Sequence, residues 1–241
     1  MKVISLFSGA GGLDIGFEQA GFEIVVAVEA DPACCNTLRK NRPSLTVFEG
    51  DVSEITGAEI LKAAGLKRSE AALVIGGPPC QSFSLAGKRM GLDDKRGSMI
   101  LEFSRLVHEI LPKAFLMENV KGMLNWQNGK AIEAVLNEFK NPALYKGKEY
   151  IYDISYSVLN AADYGVPQRR ERLFIVGNRL GKKFEFPEPT HIKAGQLDIE
   201  SKPQYLTTWD AIGSLPEEDQ PSETAKRVSQ TIKGRIAKHG Y

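Results

Sequence analysis

Cysteine is scarce in this chain, with three among 241 residues: the neighbours Cys34 and Cys35, and Cys80. Three thiols cannot build the dense bridge framework that staples small secreted domains. No further Cys or His stands at ligand spacing beside Cys34 and Cys35, so the pair reads as helix packing and no metal is expected. Long apolar runs are also missing. No segment approaches the roughly 20 apolar residues that a membrane helix needs, so no membrane partner is expected. The apolar opening Met1–Phe7 is too short for a secretory core and runs straight into glycines. Free thiols without a leader point to a reducing cytoplasm. Excess charge is absent too: 31 Lys and Arg face 30 Asp and Glu, for a net charge of +1. No global field announces a polyanion, although a local basic cleft remains compatible. There is no internal repeat and no low-complexity stretch. The composition, 42% hydrophobic and 25% charged, is ordinary for a globular chain, long enough for one large α/β domain with its own core.

What is there is an alternation of strand-like and helix-like segments. Val3–Phe7, Ile24–Glu29, Leu45–Phe48, Ala72–Ile75 and Ala114–Met117 read as five strands, and Ile151–Leu159 and Arg172–Val176 as two late ones. Between them, Leu13–Ala20 forms a helix closed by Gly21. Asp31-Pro32 supplies an N-cap followed by proline at the first helical position, opening a helix to about Arg39. Ile100, Phe103, Val107 and Ile110 share one helical face, as do Ile132, Val135, Leu136 and Phe139. Such a βαβ series implies a mostly parallel sheet covered by helices. After about Asn178 the character changes. Phe184–Pro189 holds two prolines and two glutamates, and Trp209–Leu215 reads as a short helix. Glu223–Tyr241 carries five Lys or Arg against one Glu, and is read as a solvated helix rather than a nucleic-acid-facing segment. The expected division is a catalytic domain over 1–180 and an extension over 181–241.

Three features fall at successive strand ends. Phe7-Ser8-Gly9-Ala10-Gly11-Gly12-Leu13 follows the first strand and opens a helix; its glycines let backbone approach a ligand at a helix N-terminus. Alone, such a loop serves many nucleotides or a mere turn. Glu29 ends the second strand, twenty residues after Gly9, where a carboxylate suits a ribose diol. Gly50-Asp51-Val52 closes the third, where a carboxylate can accept from an adenine amino group. A nicotinamide cofactor competes for this pattern, but no second dinucleotide half or hydride-handling site accompanies it.

The fourth strand runs into Gly76-Gly77-Pro78-Pro79-Cys80-Gln81-Ser82-Phe83-Ser84. Two prolines lack backbone donors and fix φ, so the strand stops there and presents Cys80 on a stiff loop at a carboxyl strand end. That edge of an open α/β sheet is where ligands bind. Cysteine is most often simply buried, but the double proline and the polar Gln81, Ser82 and Ser84 favour a reactive thiol. Glu118-Asn119-Val120 ends the fifth strand. Gln168-Arg169-Arg170-Glu171-Arg172 precedes the last, and alternation places Arg170 and Arg172 on one face.

With these residues assembled, the chain resembles the cytosine-5 DNA methyltransferases. The Phe-Ser-Gly-Ala-Gly-Gly loop, Val28-Glu29-Ala30-Asp31, Gly50-Asp51, Pro-Pro-Cys-Gln-Ser-Phe-Ser, Glu-Asn-Val and Gln-Arg-Arg-Glu-Arg stand in family order across Val3–Asn178. The resemblance implies a class I methyltransferase fold: a Rossmann-like, mostly parallel sheet with helices on both faces and a late antiparallel strand. It implies S-adenosylmethionine as cofactor, held by Phe7, Gly9, Ala10, Gly11, Gly12 and Leu13, by Glu29 and Ala30, and by Asp51 and Val52. Pro79 and Met99 would line its methionine side. It implies double-stranded DNA as partner and a flipped cytosine as substrate, in a bacterial restriction–modification setting. Cys80 would be the nucleophile. Glu118 would hold ring nitrogen 3 and the exocyclic amine, Arg172 the carbonyl oxygen 2, and Arg170 the same pocket or the backbone. Gln81 and Ser84 would touch DNA, as would Lys88, Arg89 and Arg96 in a mobile loop over Gly87–Gly97.

Family members usually continue into a target-recognition region and a last motif that completes the cofactor pocket. Neither is found before Tyr241. The expectation is therefore a fragment or one half of a split enzyme with a complementing chain, binding cofactor weakly and methylating little alone. An RNA methyltransferase and a non-catalytic DNA-binding subunit are the competing readings. Intact Cys80, Glu118 and Arg172 argue against the second.

Overall fold

The computed structural model describes residues 1–79, 98–193, 195, 201–215 and 222–239. One seven-stranded sheet carries the molecule, its strands in spatial order Thr46–Glu49, Glu23–Glu29, Lys2–Leu6, Leu73–Gly76, Ala114–Val120, Glu171–Asn178 and Asp153–Asn160. Its first five strands are β1 (Lys2–Leu6), β2 (Glu23–Glu29), β3 (Thr46–Glu49), β4 (Leu73–Gly76) and β5 (Ala114–Val120). Their neighbours pair in parallel throughout. All four residues of β4 are buried, as expected of a central parallel strand covered on both faces. β9 (Glu171–Asn178) pairs antiparallel with β5 on one side and with β8 (Asp153–Asn160) on the other. The fold is thus the mostly parallel Rossmann-like sheet with one late antiparallel strand that the resemblance implies.

Two layers cover the sheet. On one face, Val3, Ile24, Leu73 and Ile75 pack beneath Leu13 and Phe17 of α1 (Gly12–Gln19). Arg42, just past α2 (Pro32–Asn41), ties α2 to α1 through two 2.8 Å hydrogen bonds to the Glu18 carboxylate. On the other face, Ile4, Leu6, Val26 and Val74 meet Ile60 of α3 (Gly57–Ala63), Phe103 of α4 (Ser98–Ile110) and Ile132 of α5 (Lys130–Lys140). The helical faces read from spacing hold: Ile100, Phe103, Val107 and Ile110 are buried, as are Ile132, Val135 and Phe139. Phe103, Phe115, Phe139 and Tyr152 form an aromatic cluster with centroids 4.5–6.2 Å apart. Gly177 of β9 sits against it, where an added Cβ would stand 2.1 Å from the Phe115 ring.

Local chemistry sets the boundaries. Asp31 caps α2 by accepting from the Cys34 amide at 2.9 Å, with Pro32 at the first helical position, and the helix runs two residues past Arg39. α3 does not follow from apolar periodicity; a reciprocal capping box between Thr56 and Glu59 starts it. Two further differences are a small hairpin, β6 (Ala143–Tyr145) with β7 (Lys148–Tyr150), and a later start for β8 than Ile151. Cys35 is buried and Cys34 half-buried on α2, as helix packing requires. Beyond β9 lie α6 (Thr208–Ile212), which overlaps the stretch Trp209–Leu215 read as a short helix but starts one residue before it and ends at Ile212, and α7 (Glu223–His239), whose described side chains are exposed. No helix among the described residues is long and apolar enough to cross a membrane.

Candidate active site

The carboxyl ends of β1, β4 and β5 and the start of β9 converge on one cleft of about 570 Å³. Phe7, Ser8, Gly12 and Leu13 line one wall; Gly77, Glu118, Tyr164, Arg170, Arg172 and Phe174 line the other. The loop after β1 earns its glycines: Phe7, Gly9 and Gly11 all have positive φ, at 54°, 54° and 86°. Phe7 holds that conformation at a cost a non-glycine residue meets only when its surroundings enforce it. The loop is held from below, where Ser8 donates its amide to the Val28 carbonyl and Gly11 to the Ser8 carbonyl.

Glu29 is the clamp. One oxygen accepts from the Gly9 amide at 2.7 Å, the other from the Asp31 amide at 2.8 Å. Each oxygen keeps a spare lone pair for a hydroxyl. Above Gly9 and Gly12 an added Cβ would meet nothing, so the floor has room for a ligand. Asp51 borders a second hollow of about 210 Å³ with Val28, Phe48 and Gly50, and its carboxylate accepts from the Ser53 amide at 2.9 Å. These residues fit an adenosine-like group. Val52 is buried at 3% exposure and contributes packing, while its carbonyl accepts from Arg105 at 3.0 Å. Ala10, Ala30 and Pro79 are exposed near these strand ends, and half-buried Met99 packs on the core.

At the opposite wall, Arg172 Nε lies 2.9 Å from Glu118 Oε1, with both side chains about one quarter exposed. The register explains the meeting: Arg172 pairs with Val120, so Glu118, two residues along, projects from the same face. The Arg172 Nη1 group also donates to the Glu171 carbonyl at 2.8 Å, and Lys121 pairs with Glu171 at 2.8 Å. Arg170 lies at the cleft mouth, its amide donating to the Asn160 side chain at 3.0 Å. A carboxylate beside a guanidinium presents acceptors and donors to a flat, polar ring edge. Cys80, Gln81, Ser84, Lys88, Arg89 and Arg96 lie outside the described residues.

Sequence reasoning did not assign Asn119, which is 2% exposed. Its Nδ2 donates to the Pro78 carbonyl at 3.3 Å and its Oδ1 accepts from the Val120 amide at 2.8 Å. That side chain ties β5 to the segment leading into Cys80. Its place inside Glu-Asn-Val was the available signal. Tyr164 and the buried set Ser5, Ser8 and Asp14 were likewise not singled out; a buried acid on the inner face of α1 carries no mark in sequence. A third, larger groove of about 850 Å³, lined by Arg68, Arg105, His108 and Leu144, contains none of the candidate residues.

Seven strands with β9 reversed beside β5, and a glycine loop facing the cleft, define a class I methyltransferase fold. The structure superposes on a prophage-encoded E. coli protein named as a DNA modification methyltransferase with a TM-score of 0.68 at 28% identity, covering 97% of this chain and 69% of that one. It shares the fold of the Dnmt2 methyltransferase of S. pombe, at a TM-score of 0.56 and 22% identity over 77% of this chain and 51% of that one. Residues 1–239 match the family described as C-5 cytosine-specific DNA methylase, and the chain belongs to that family. It is 63% identical to the Type II methyltransferase M.AquIA of Picosynechococcus sp., covering 100% of this chain and 99% of that protein. It is 42% identical to M.FnuDI of Fusobacterium nucleatum over 93% of this chain, but only 60% of that relative. The chain thus spans nearly all of one relative and about three fifths of the other.

Proposed function

We propose that the chain is the catalytic part of a DNA (cytosine-5-)-methyltransferase of a Type II restriction–modification system. In this reading residues 1–180 carry the chemistry and 181–241 lead toward a target-recognition region supplied by further sequence or by a complementing chain. The observation that carries the proposal is the Glu118–Arg172 pair, 2.9 Å apart in the same cleft as the glycine loop. Family membership and relatives named as Type II methyltransferases support it.

The residues present fit S-adenosylmethionine: Glu29 for the ribose hydroxyls, Asp51 for the adenine amine, and the Phe7–Leu13 loop beneath. That group supplies an electrophilic methyl on a sulfonium. The protein must turn carbon 5 of cytosine, a poor nucleophile, into a good one. Cys80 does so as a thiolate, bonding to carbon 6 of a base flipped out of the duplex. Glu118 accepts from the exocyclic amine and supports a proton on nitrogen 3, so the electron pair displaced by the thiolate is stabilised. Arg172 holds oxygen 2, with Arg170 beside it. Once carbon 5 carries the methyl group, loss of its proton to a base expels Cys80 and restores the ring. Cysteine suits both ends of this cycle, as a strong nucleophile and a ready leaving group. Asn119 keeps the Pro78 carbonyl, and hence the approach to Cys80, tied to the strand that bears Glu118. Gln81, Ser84, Lys88, Arg89 and Arg96 are assigned to the DNA.

The test is transfer of labelled methyl groups from S-adenosylmethionine to genomic DNA, with cellular RNA as the parallel acceptor. It is run on the chain alone and with the remaining lobe or partner. Label at carbon 5 of cytosine in DNA is expected, lost in Cys80→Ser. Label only in RNA, or turnover that survives Cys80→Ser in the completed enzyme, overturns the reading.

A further inference from the structure

Among the described residues, Asp14 is the one carboxylate, lysine, arginine or histidine side chain in the buried set, at 0% exposure. Its Oδ1 accepts from the Ser5 hydroxyl at 2.6 Å, and the Ser5 oxygen accepts from the Ser8 hydroxyl at 2.9 Å. A hydroxyl bond of that length suits an ionised carboxylate, for which about 2.5–2.7 Å is usual. Oδ2 has no hydrogen-bond partner. A buried oxygen left unpaired costs stability, and natural proteins rarely keep one without a use. Nor is the charge neutralised nearby: Arg42, whose charge acts on Asp14, is committed to the Glu18 carboxylate through two 2.8 Å bonds. The first turn of α1 offers only its dipole in compensation.

The position matters because Ser5 and Ser8, the two serines in this chain of hydrogen bonds, both line the cleft, with Gly12 and Leu13 beside them. Asp14 therefore stands one side chain behind the wall that faces the proposed methyl donor. We infer that Asp14 makes the cleft charge-selective, its uncompensated carboxylate favouring the cationic sulfonium donor over the uncharged thioether left after transfer. The inference rests on the reading given under Proposed function. A charge behind a protein wall is poorly screened, so it acts on a cation across the wall far more than it would through water. The donor and its product differ by one methyl group and one positive charge, and shape alone discriminates them weakly. Asp14 would bind the donor and loosen its grip once the charge is gone, aiding product exchange.

Calorimetric titration of the completed enzyme, this chain together with its remaining lobe or partner, with S-adenosylmethionine and, separately, with S-adenosylhomocysteine tests this. Asp14→Asn keeps the side-chain shape and removes the charge. The expected result is about tenfold weaker donor binding, from the Coulomb term alone, with product binding held within about twofold. Ser5→Ala removes a hydrogen bond but not the charge, so its donor-to-product ratio stays at the wild-type value. If Asp14→Asn fails to fold, Asp14→Ser carries the same comparison. Equal losses for both ligands, or no loss for either, overturn the inference while leaving the cofactor reading intact. Wild-type protein that binds neither ligand overturns the cofactor reading, and the inference with it.

Discussion

The carboxylates at and beside the cleft are held in different ways. Beside the glycine loop and the second hollow, Glu29 accepts from the amides of Gly9 and Asp31, and Asp51 from the amide of Ser53. On the other side, Glu118 is paired with the Arg172 side chain. Main-chain donors are fixed by the fold, so Glu29 and Asp51 are set in place before any ligand arrives. A guanidinium on a long, partly exposed side chain can swing away, so the Glu118–Arg172 pair satisfies itself when empty and can reopen around a base. One set of carboxylates is fixed by main-chain donors; Glu118 is held by a side chain.

That contrast is sharpest at Glu118. Glu118→Gln removes the charge and keeps the size; methyl transfer in the completed enzyme is expected to fall at least about 100-fold, the usual scale for a lost proton-handling group. Cofactor affinity, read by titration, should barely move. Gly177→Ala tests the frame both walls share, since its Cβ would stand 2.1 Å from the Phe115 ring. Overpacking of this kind costs about 1–3 kcal/mol, to be seen in chemical denaturation. Glu29→Ala strikes the set fixed by main-chain donors. It removes the partner of the Gly9 and Asp31 amides, and cofactor affinity should drop roughly tenfold, in line with hydrogen bonds to a charged group. Unchanged affinity would mean that Glu29 only braces the loop.

The smallest effect concerns pH. Burial pushes the Asp14 carboxyl up from the ordinary carboxylate value, with the Ser5 hydrogen bond opposing. Between the ordinary and the raised value the folded chain binds more protons than the unfolded one, so this group's contribution to stability declines as pH rises through that window. Asp14→Asn lacks this decline. Its melting temperature relative to wild type should therefore climb as pH rises above the ordinary carboxylate range, and level off once pH passes the raised value. A flat difference would show that Asp14 keeps its ordinary acidity.

Much of this was legible in the sequence because parallel strands buried on both faces are written as continuous apolar runs, and each ended in a residue type with a clear use. Ala72–Ile75 running into Gly76-Gly77-Pro78-Pro79 marks both a strand and its end. Glu29 stood out by its spacing from the glycine loop. Three things did not show. α3 is only seven residues long and is announced by its capping box rather than by periodicity. The β6–β7 hairpin is held by three residue pairs, too few to alternate recognisably. Asp14 is a polar residue on a face that faces inward, and only the packing of α1 on β1 reveals that its charge is enclosed. The basic stretch near the end of the chain forms α7 with its described side chains exposed, including Val228 at 49% and Ile232 at 51%.

β9 has a consequence for how the protein is made. It is paired with β8 along its whole length and with β5 from Arg172 to Asn178, and it brings Arg172 to Glu118 across a separation of more than fifty residues. Closure of the sheet and assembly of the Glu118–Arg172 pair are therefore a single folding event, among the least local in the chain and expected to be slow. A nascent polypeptide has its glycine loop and Glu29 early, but no Glu118–Arg172 pair until the final strand threads between its neighbours. The Glu118–Arg172 pair is completed by the same step that seals the core.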